Sequence, residues 1–491
     1  MNSDFGNIEK PLTRNNDCPI ARQSVVLKSF LIIGSATFLY LYLIPLIFGV
    51  NFHYILVFDM RFEPDNQWHF ILRYISLCTA IFMATTFLWQ RNYLNTLKKT
   101  GFIAFLFIVI LIFNVSLAST RGGFWHAIPH PFSETAEERS TPTGYCRDIV
   151  KINDIKSFLH DYVSLMPQLS IHGCTHPPGP DIFMYAILKY LNWSALSASL
   201  IAIIISALSV IPVYLIFKLV LSEAASRFGI LLWAFTPSIV IYSATCMDGV
   251  FMFFSIWTFY FFLYYLVKEK HFFLSSILTG IFLAISLFMT FSGIYLVLFF
   301  FFISLFYLRR DIRKAGMLFL DLLIVSMTFM TIYFFIYYLT GFNIRECLTT
   351  AVVNNMRFMK VPFVGWKYFE SLVVTRISDF AAYFTFMGFA STGIFFVYIS
   401  KKFRKSHPGN EYMGYTVFIS VLTLLVITLG GVYWYETQRI WIFLSPLFLI
   451  PVSEAILSLS ADCLSSILPL QLLAFNFIQT ILLELLFNTY S

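Results

Sequence analysis

Two histidines four residues apart, His172 and His176, stand in the run Ile171-His172-Gly173-Cys174-Thr175-His176-Pro177-Pro178-Gly179-Pro180-Asp181. On a helix that spacing suits a zinc pair. The prolines exclude it here, because each lacks an amide hydrogen and pushes the residue before it out of helical space. The run therefore predicts extended backbone at His176, a rigid strut through Pro177 and Pro178, and a helix beginning near Gly179-Pro180 with Asp181 in its first turn. The amide hydrogens at such a helix start favour an anion.

Four other stretches carry candidate chemistry. Asp148, in Tyr145-Cys146-Arg147-Asp148-Ile149, precedes an amphipathic stretch and reads equally as a general base or as a helix N-cap. Asp248 opens an apolar run ten residues after Phe235-Thr236-Pro237-Ser238, where it either meets substrate or simply complements a helix dipole. Asn354 and Asn355 lie in a polar stretch with Trp366 and Tyr368, and Asn355 is taken as a substrate contact. Arg439 falls in the first turn of a predicted span, where the dipole repels a cation, so its position suggests an anion to bind; Glu436 and Arg439 are both taken as substrate-binding, with a local pair between them as the alternative. The seven cysteines include no CxxC pair, which argues against a thiolate metal site, and the reading includes no metal and no cofactor. Cys146, Cys174, Cys246 and Cys347 fall in or beside polar loops, where either free thiols or a disulfide such as Cys146–Cys174 is open.

These residues must be positioned by membrane helices. Of the 491 residues 58% are hydrophobic and 12% charged, and thirteen apolar runs recur, at 26–49, 70–89, 102–118, 195–220, 227–243, 248–267, 273–291, 293–308, 315–339, 377–399, 412–432, 439–459 and 466–488. The fold class is an all-α polytopic membrane protein with about 13 spans. The piece 182–191 would be only about 15 Å long as a helix and is expected at the interface. The first run is too long for a signal-peptide core and reads as a retained span.

The net charge of +7 sits in short clusters between the runs: Arg91, Lys98 and Lys99; Lys218 and Arg227; Lys268 and Lys270; Arg309, Arg310, Arg313 and Lys314; Lys401, Lys402, Arg404 and Lys405. That is a topology signal and not a nucleic-acid surface. All five clusters, with the N-terminal Lys10, Arg14, Arg22 and Lys28, fall on one side, read as cytoplasmic. The other side takes the loop with Asp59, Glu63 and Asp65, the long 120–194 loop, the Cys246-Met247-Asp248 turn, the 341–376 loop and the 434–439 turn. Within the long loop, Ile152, Ile155, Phe158, Leu159, Tyr162 and Met166 share one face of an amphipathic helix, expected to lie on the membrane surface. A site on the outer face has no nucleotide-sugar supply, so an activated sugar must arrive on a lipid. Transfer from a polyprenyl phosphate needs one carboxylate base, since the phosphate leaves unprotonated, and a cation or dipole for the developing charge; Arg439, His176 and the helix start near Pro180 are the candidates.

The order of these features resembles the GT-C superfamily of integral membrane glycosyltransferases, most of all the branch of protein O-mannosyltransferases and aminoarabinose transferases. It comprises a span, an outer loop with an Asp and a surface helix, Thr-His-Pro-Pro-Gly-Pro, a Pro-then-Asp turn and a late Glu-Thr-Gln-Arg-Ile-Trp. The likeness runs from about 102 to 459, leaving 1–25 as a cytoplasmic segment, 26–101 as two additional N-terminal helices and 460–491 as a C-terminal helix. The resemblance implies that the acid of the first large outer loop is the base, which carries onto Asp148, and that the His-Pro-Pro segment shapes the site, which carries onto His176, Pro177 and Pro178. Asp148 is not in the Asp-Glu pair of many members, so Glu134, Glu137 and Glu138 stay as rival bases. The implied reaction is single-displacement transfer of a sugar from a polyprenyl-phosphate donor to a glycan, lipid or protein acceptor, at a plasma (inner) membrane with the site facing outward. A lipid-linked glycan ligase is one alternative. A transporter or flippase is the other, and it would require midplane charges and paired broken helices.

Overall fold

The structure is a computed structural model that describes residues 24–48, 68–133, 144–358, 366–404, 411–430, 436–463 and 467–487. Lys10, Arg14, Arg22, Asp59, Glu63, Asp65, the rival bases Glu134, Glu137 and Glu138, and Lys405 lie outside the described residues.

The first three long helices are α1 (Val25–Phe48), α2 (Trp68–Gln90) and α3 (Lys99–Ala118). The polar loop then folds into short pieces, α4 (Tyr145–Asp148), α5 (Ile155–Leu165), α6 (Ile171–Thr175) and α7 (Gly179–Tyr185). The bundle continues with α8 (Ala195–Leu208), α9 (Val210–Val220), α10 (Glu223–Ala234), α11 (Pro237–Thr245), α12 (Asp248–Lys268), α13 (Phe272–Met289), α14 (Ile294–Leu308), α15 (Ile312–Thr340) and α16 (Ile344–Phe358). It closes with α17 (Trp366–Phe386), α18 (Phe389–Arg404), α19 (Glu411–Leu429), α20 (Thr437–Ile440), α21 (Ser445–Cys463) and α22 (Ile467–Leu486).

Within the described residues the thirteen apolar runs are helical, several of them broken, and they form an all-α polytopic bundle in which about thirteen spans is not confirmed. Among the described residues nine helices are long and apolar enough to cross a membrane, or up to eleven if each of two bent pairs is one span. The pairs are α10 with α11, bent by 52°, and α17 with α18, bent by 107°. Their causes are local. Pro237 takes the first turn of α11, where its missing amide hydrogen costs nothing, and so separates it from α10. At the second bend Gly388 has φ 95°, and a Cβ there would stand 2.4 Å from Asn476 Oδ1. The backbone groups freed by that bend are met by one side chain: Phe389 N donates to Gln479 Oε1 at 2.8 Å and Gln479 Nε2 donates to Thr385 O at 2.7 Å. A polar side chain is what a broken helix needs where water is excluded.

Close helix approaches use small residues. A Cβ on Gly280 would lie 2.7 Å from Thr328 and 2.9 Å from the Val325 carbonyl, so α13 and α15 touch backbone to backbone. One buried ion pair joins distant helices: Arg121 Nη2 donates to Glu484 Oε2 at 2.6 Å, with Nε at 2.6 Å from Oε1. Such a pair ties the segment after α3 to α22.

Four of the basic clusters come together in two groups. Arg227 donates to the carbonyls of Leu94 and Leu97 at 2.7 and 2.9 Å, and Lys314 reaches Glu269 at 2.6 Å. The helix α12 carries Asp248 at one terminus and Lys268 at the other, which at 1.5 Å per residue separates those ends by roughly 30 Å. At the far end the polar loop covers the bundle. There α5 differs from its expected place on the membrane surface: Phe158, Leu159 and Tyr162 pack into a cluster with Tyr333 of α15 and with Phe342, Cys347 and Ala351. The amphipathic period specifies an apolar face, and here protein covers that face.

Candidate active site

The proline strut forms as the sequence requires. Ser170 caps α6, its Oγ accepting from Gly173 N at 3.2 Å, and His176 leaves the helix in extended backbone at φ −117°, ψ 166°. The chain re-enters helix at Gly179 with Pro180 in the first turn. Only glycine fits at 179, since a Cβ would stand 2.3 Å from the Phe288 carbonyl of α13. That contact also closes the start of α7: Gly179, Pro180 and Asp181 are buried, so the helix start near Pro180 is not open to an anion.

The strut, the α11–α12 turn and α20 meet in one cleft lined by Tyr145, His172, His176, Cys246, Met247, Asp248, Phe251, Glu436, Arg439 and Ile440. Three polar segments far apart in sequence thus share one face of the bundle. Arg439 Nη2 donates to Glu436 Oε2 at 2.5 Å, and Nη1 lies 3.8 Å from Asp248 Oδ2. Arg439 stands in the four-residue α20, with a further turn over Ile442–Leu444 before α21 begins, so it is not in the first turn of α21 as expected. Glu436 holds it in place from a left-handed backbone position, φ 59°. Burial opposes the charge on Arg439, and the side chains of Glu436 and Asp248 outweigh it and keep the guanidinium protonated. The imidazoles behave oppositely. Burial lowers the pKa of His172 well below its usual value, and Arg439 and His176 push it further. His176 is also lowered, chiefly by burial, with Asp248 opposing. Both are neutral near pH 7, so His176 offers a dipole and not the cationic stabilisation that would need an imidazolium. Rings frame them: Tyr145 lies 5.7 Å from His172 and 6.2 Å from His176, and Phe251 lies 6.1 Å from His176.

Asp148 sits behind this wall. It is 3% exposed and does not line the cleft. Its oxygens accept from Ser170 N at 2.9 and 3.0 Å and from Ser170 Oγ at 2.6 Å. It does not cap α5, whose N-cap is Asp154; it ties α4, with Tyr145, to the residue that caps α6. Burial raises its pKa and the Ser170 bonds pull it back.

Of the other expected contacts, Pro177 and Pro178 are buried in the strut and direct His176 without lining the cleft. Asn355 is half-buried and likewise outside the lining; its neighbour Asn354 makes the tether, donating to the Cys174 carbonyl at 3.0 Å. Cys146 and Cys174 are both buried. Tyr145, His172 and Phe251 were not singled out as site residues by sequence. Tyr145 shares one helical turn with Asp148, and Phe251 is one turn beyond Asp248, which are the signals that lead to them. Among the described residues no three His, Cys, Asp or Glu side chains are grouped to hold a metal ion.

Residues 175–335 match the dolichyl-phosphate-mannose-protein mannosyltransferase family. The resemblance to GT-C membrane glycosyltransferases is borne out. The match begins at Thr175, the first residue of Thr-His-Pro-Pro-Gly-Pro, and contains His176, Pro177, Pro178 and Asp248; it leaves Asp148, Glu436 and Arg439 outside. It supports a membrane glycosyltransferase that uses a lipid-linked donor. No curated protein matches the chain.

Proposed function

We propose that the protein transfers a sugar from a polyprenyl-phosphate donor to a hydroxyl acceptor on the outer or lumenal face, in the cleft between His176, Asp248 and Arg439. The observation that carries this reading is the convergence in one cleft of two carboxylates, Asp248 and the Arg439-paired Glu436, one buried arginine and two imidazoles. Asp248, with its side chain 14% exposed in the cleft, is better placed than Asp148 to take the acceptor proton. The acceptor oxygen then bonds to the anomeric carbon as the carbon–phosphate-oxygen bond breaks, and the bonding pair leaves with the phosphate. Arg439 meets the charge that develops there, and His172 donates a ring N–H hydrogen. Asp148 acts through Ser170, keeping α6 and its histidine in register. A single displacement of this kind inverts the anomeric configuration.

Orientation is part of the proposal. Lys268 and, through Glu269, Lys314 lie at the end of α12 opposite Asp248, which supports a cleft facing away from the cytoplasm. For transport, the charges inside the helices would need to line a pathway. Instead Asp321 is buried and accepts from Ser276, and Glu454 accepts from Tyr398.

Mass spectrometry of membrane glycolipids and surface glycans from cells with and without the gene tests the reading. Loss of one sugar from a defined glycan, with accumulation of a polyprenyl-phosphate sugar, is expected. Identical glycan and lipid profiles would remove glycosyl transfer from the account.

A further inference from the structure

Asp181 closes the Thr-His-Pro-Pro-Gly-Pro-Asp run and has no place in the chemistry above. It is fully buried, and its Oδ1 has no hydrogen-bond partner among the described residues. Its Oδ2 lies 3.4 Å from Tyr162 Oη. The same phenol oxygen lies 2.9 Å from the Gly173 carbonyl and 3.0 Å from the His176 carbonyl. A tyrosine has one hydrogen to give, and a carbonyl can only accept. An ionised Asp181 would be a third acceptor competing for that hydrogen, with a buried charge left over. A protonated Asp181 reverses the count: the acid donates to Tyr162 Oη, and the phenol hydrogen is released to the two backbone carbonyls.

We propose that Asp181 is a neutral carboxylic acid that positions the cleft through Tyr162, forming a chain from Asp181 to Tyr162 to the carbonyls of Gly173 and His176. The proposal deepens the transferase reading and rests on it for the functional role, though not for the protonation state. The two carbonyls bracket the strut, so the chain fixes the direction in which His172 and His176 enter the cleft. The surroundings agree. The ionisable groups facing the pair are Asp148 and Tyr145 of α4, Cys347 of α16 and Lys151, and only Lys151 favours a negative charge on Asp181. Burial raises the Asp181 pKa well above the carboxylate range and Asp148 adds to the rise, against a smaller pull downward from Tyr162 and Lys151.

Infrared spectroscopy of the full-length protein in lipid nanodiscs reads the protonation state without any substrate. A carbonyl band of a buried carboxylic acid, sensitive to deuterium exchange, is expected at neutral pH. It should vanish in Asp181→Asn and move to higher frequency in Tyr162→Phe, which removes the hydrogen-bond acceptor. A spectrum in which Asp181→Asn loses no acid band, or loses an ionised carboxylate band, overturns the protonated form. The positioning role is read from donor turnover. Asp181→Leu should lose about tenfold in kcat, the scale of one misplaced hydrogen bond, and Asp181→Asn, which keeps a neutral donor, should recover most of it. If Asp181→Asn is folded and as inactive as Asp181→Leu, the carboxyl group does something other than donate to Tyr162. Failure of the transferase reading would leave every variant without activity and the infrared result unchanged.

Discussion

Asp248→Asn is expected to lower turnover by about 10²–10⁴-fold, the contribution of a positioned general base, while the protein stays folded and still binds donor. Asparagine keeps the size and one acceptor oxygen but cannot take a proton. Asp248 is the cleft carboxylate nearest Arg439 apart from the one that Arg439 already holds through Nη2. The paired control is Asp148→Asn. An amide there can still accept from Ser170 N, and its nitrogen can donate to Ser170 Oγ, so the substitution should cost about 1–2 kcal/mol of stability and leave turnover within about tenfold of wild type. Steady-state rates beside a thermal-unfolding midpoint for each variant separate the two. If Asp148→Asn is the folded and inactive protein and Asp248→Asn is active, the base is the loop acid that the family resemblance implies.

Arg439→Ala should weaken donor use by about ten- to a hundredfold, because a charge-assisted bond to phosphate is worth about 1.5–3 kcal/mol. Arg439→Lys should recover only part of that, since lysine keeps the charge and loses the planar two-pronged geometry. Glu436→Gln distinguishes this from a local ion pair. In the proposed role Glu436 orients the guanidinium at 2.5 Å, and its loss should be milder than loss of the arginine. Equal and small effects of Glu436→Gln and Arg439→Ala on donor KM and kcat would mean that the pair serves the fold alone.

What the sequence reveals here depends on how local the physics is. The strut was legible because two adjacent prolines restrict backbone within three residues, and the observed φ of His176 follows from them. The helices were legible from apolar length. Their bends were not. The 107° turn between α17 and α18 depends on Gln479, some ninety residues away, to satisfy the freed backbone, and an isolated Gly388 in an apolar run does not announce it. The surface helix shows the same limit. Phe158, Leu159 and Tyr162 define one apolar face equally well against lipid or protein, and only the tertiary fold brings Phe342 and Cys347 onto it.

Asp148 and Asp248 show the limit within the site. Both are acids beside helix termini in polar turns, and the family order favours the first. Their roles separate through Ser170, twenty-two residues downstream of Asp148, and through Arg439, nearly two hundred residues beyond Asp248. Neither pairing leaves a periodic or compositional trace. Likewise Asp181 was expected to complement a helix dipole at an open anion site. The close approach of Gly179 to Phe288 buries that helix start, and the acid meets a tyrosine instead of solvent.

The most direct measurement is a single-turnover assay on the purified full-length protein in nanodiscs, with a short-chain polyprenyl-phosphate sugar labelled in the sugar and a membrane extract as the acceptor source. The account predicts that label moves to an acceptor with inverted anomeric configuration, that one polyprenyl phosphate is released per sugar transferred, and that both events stop together in Asp248→Asn. Transfer at an undiminished rate in Asp248→Asn, or retention of anomeric configuration, would contradict it.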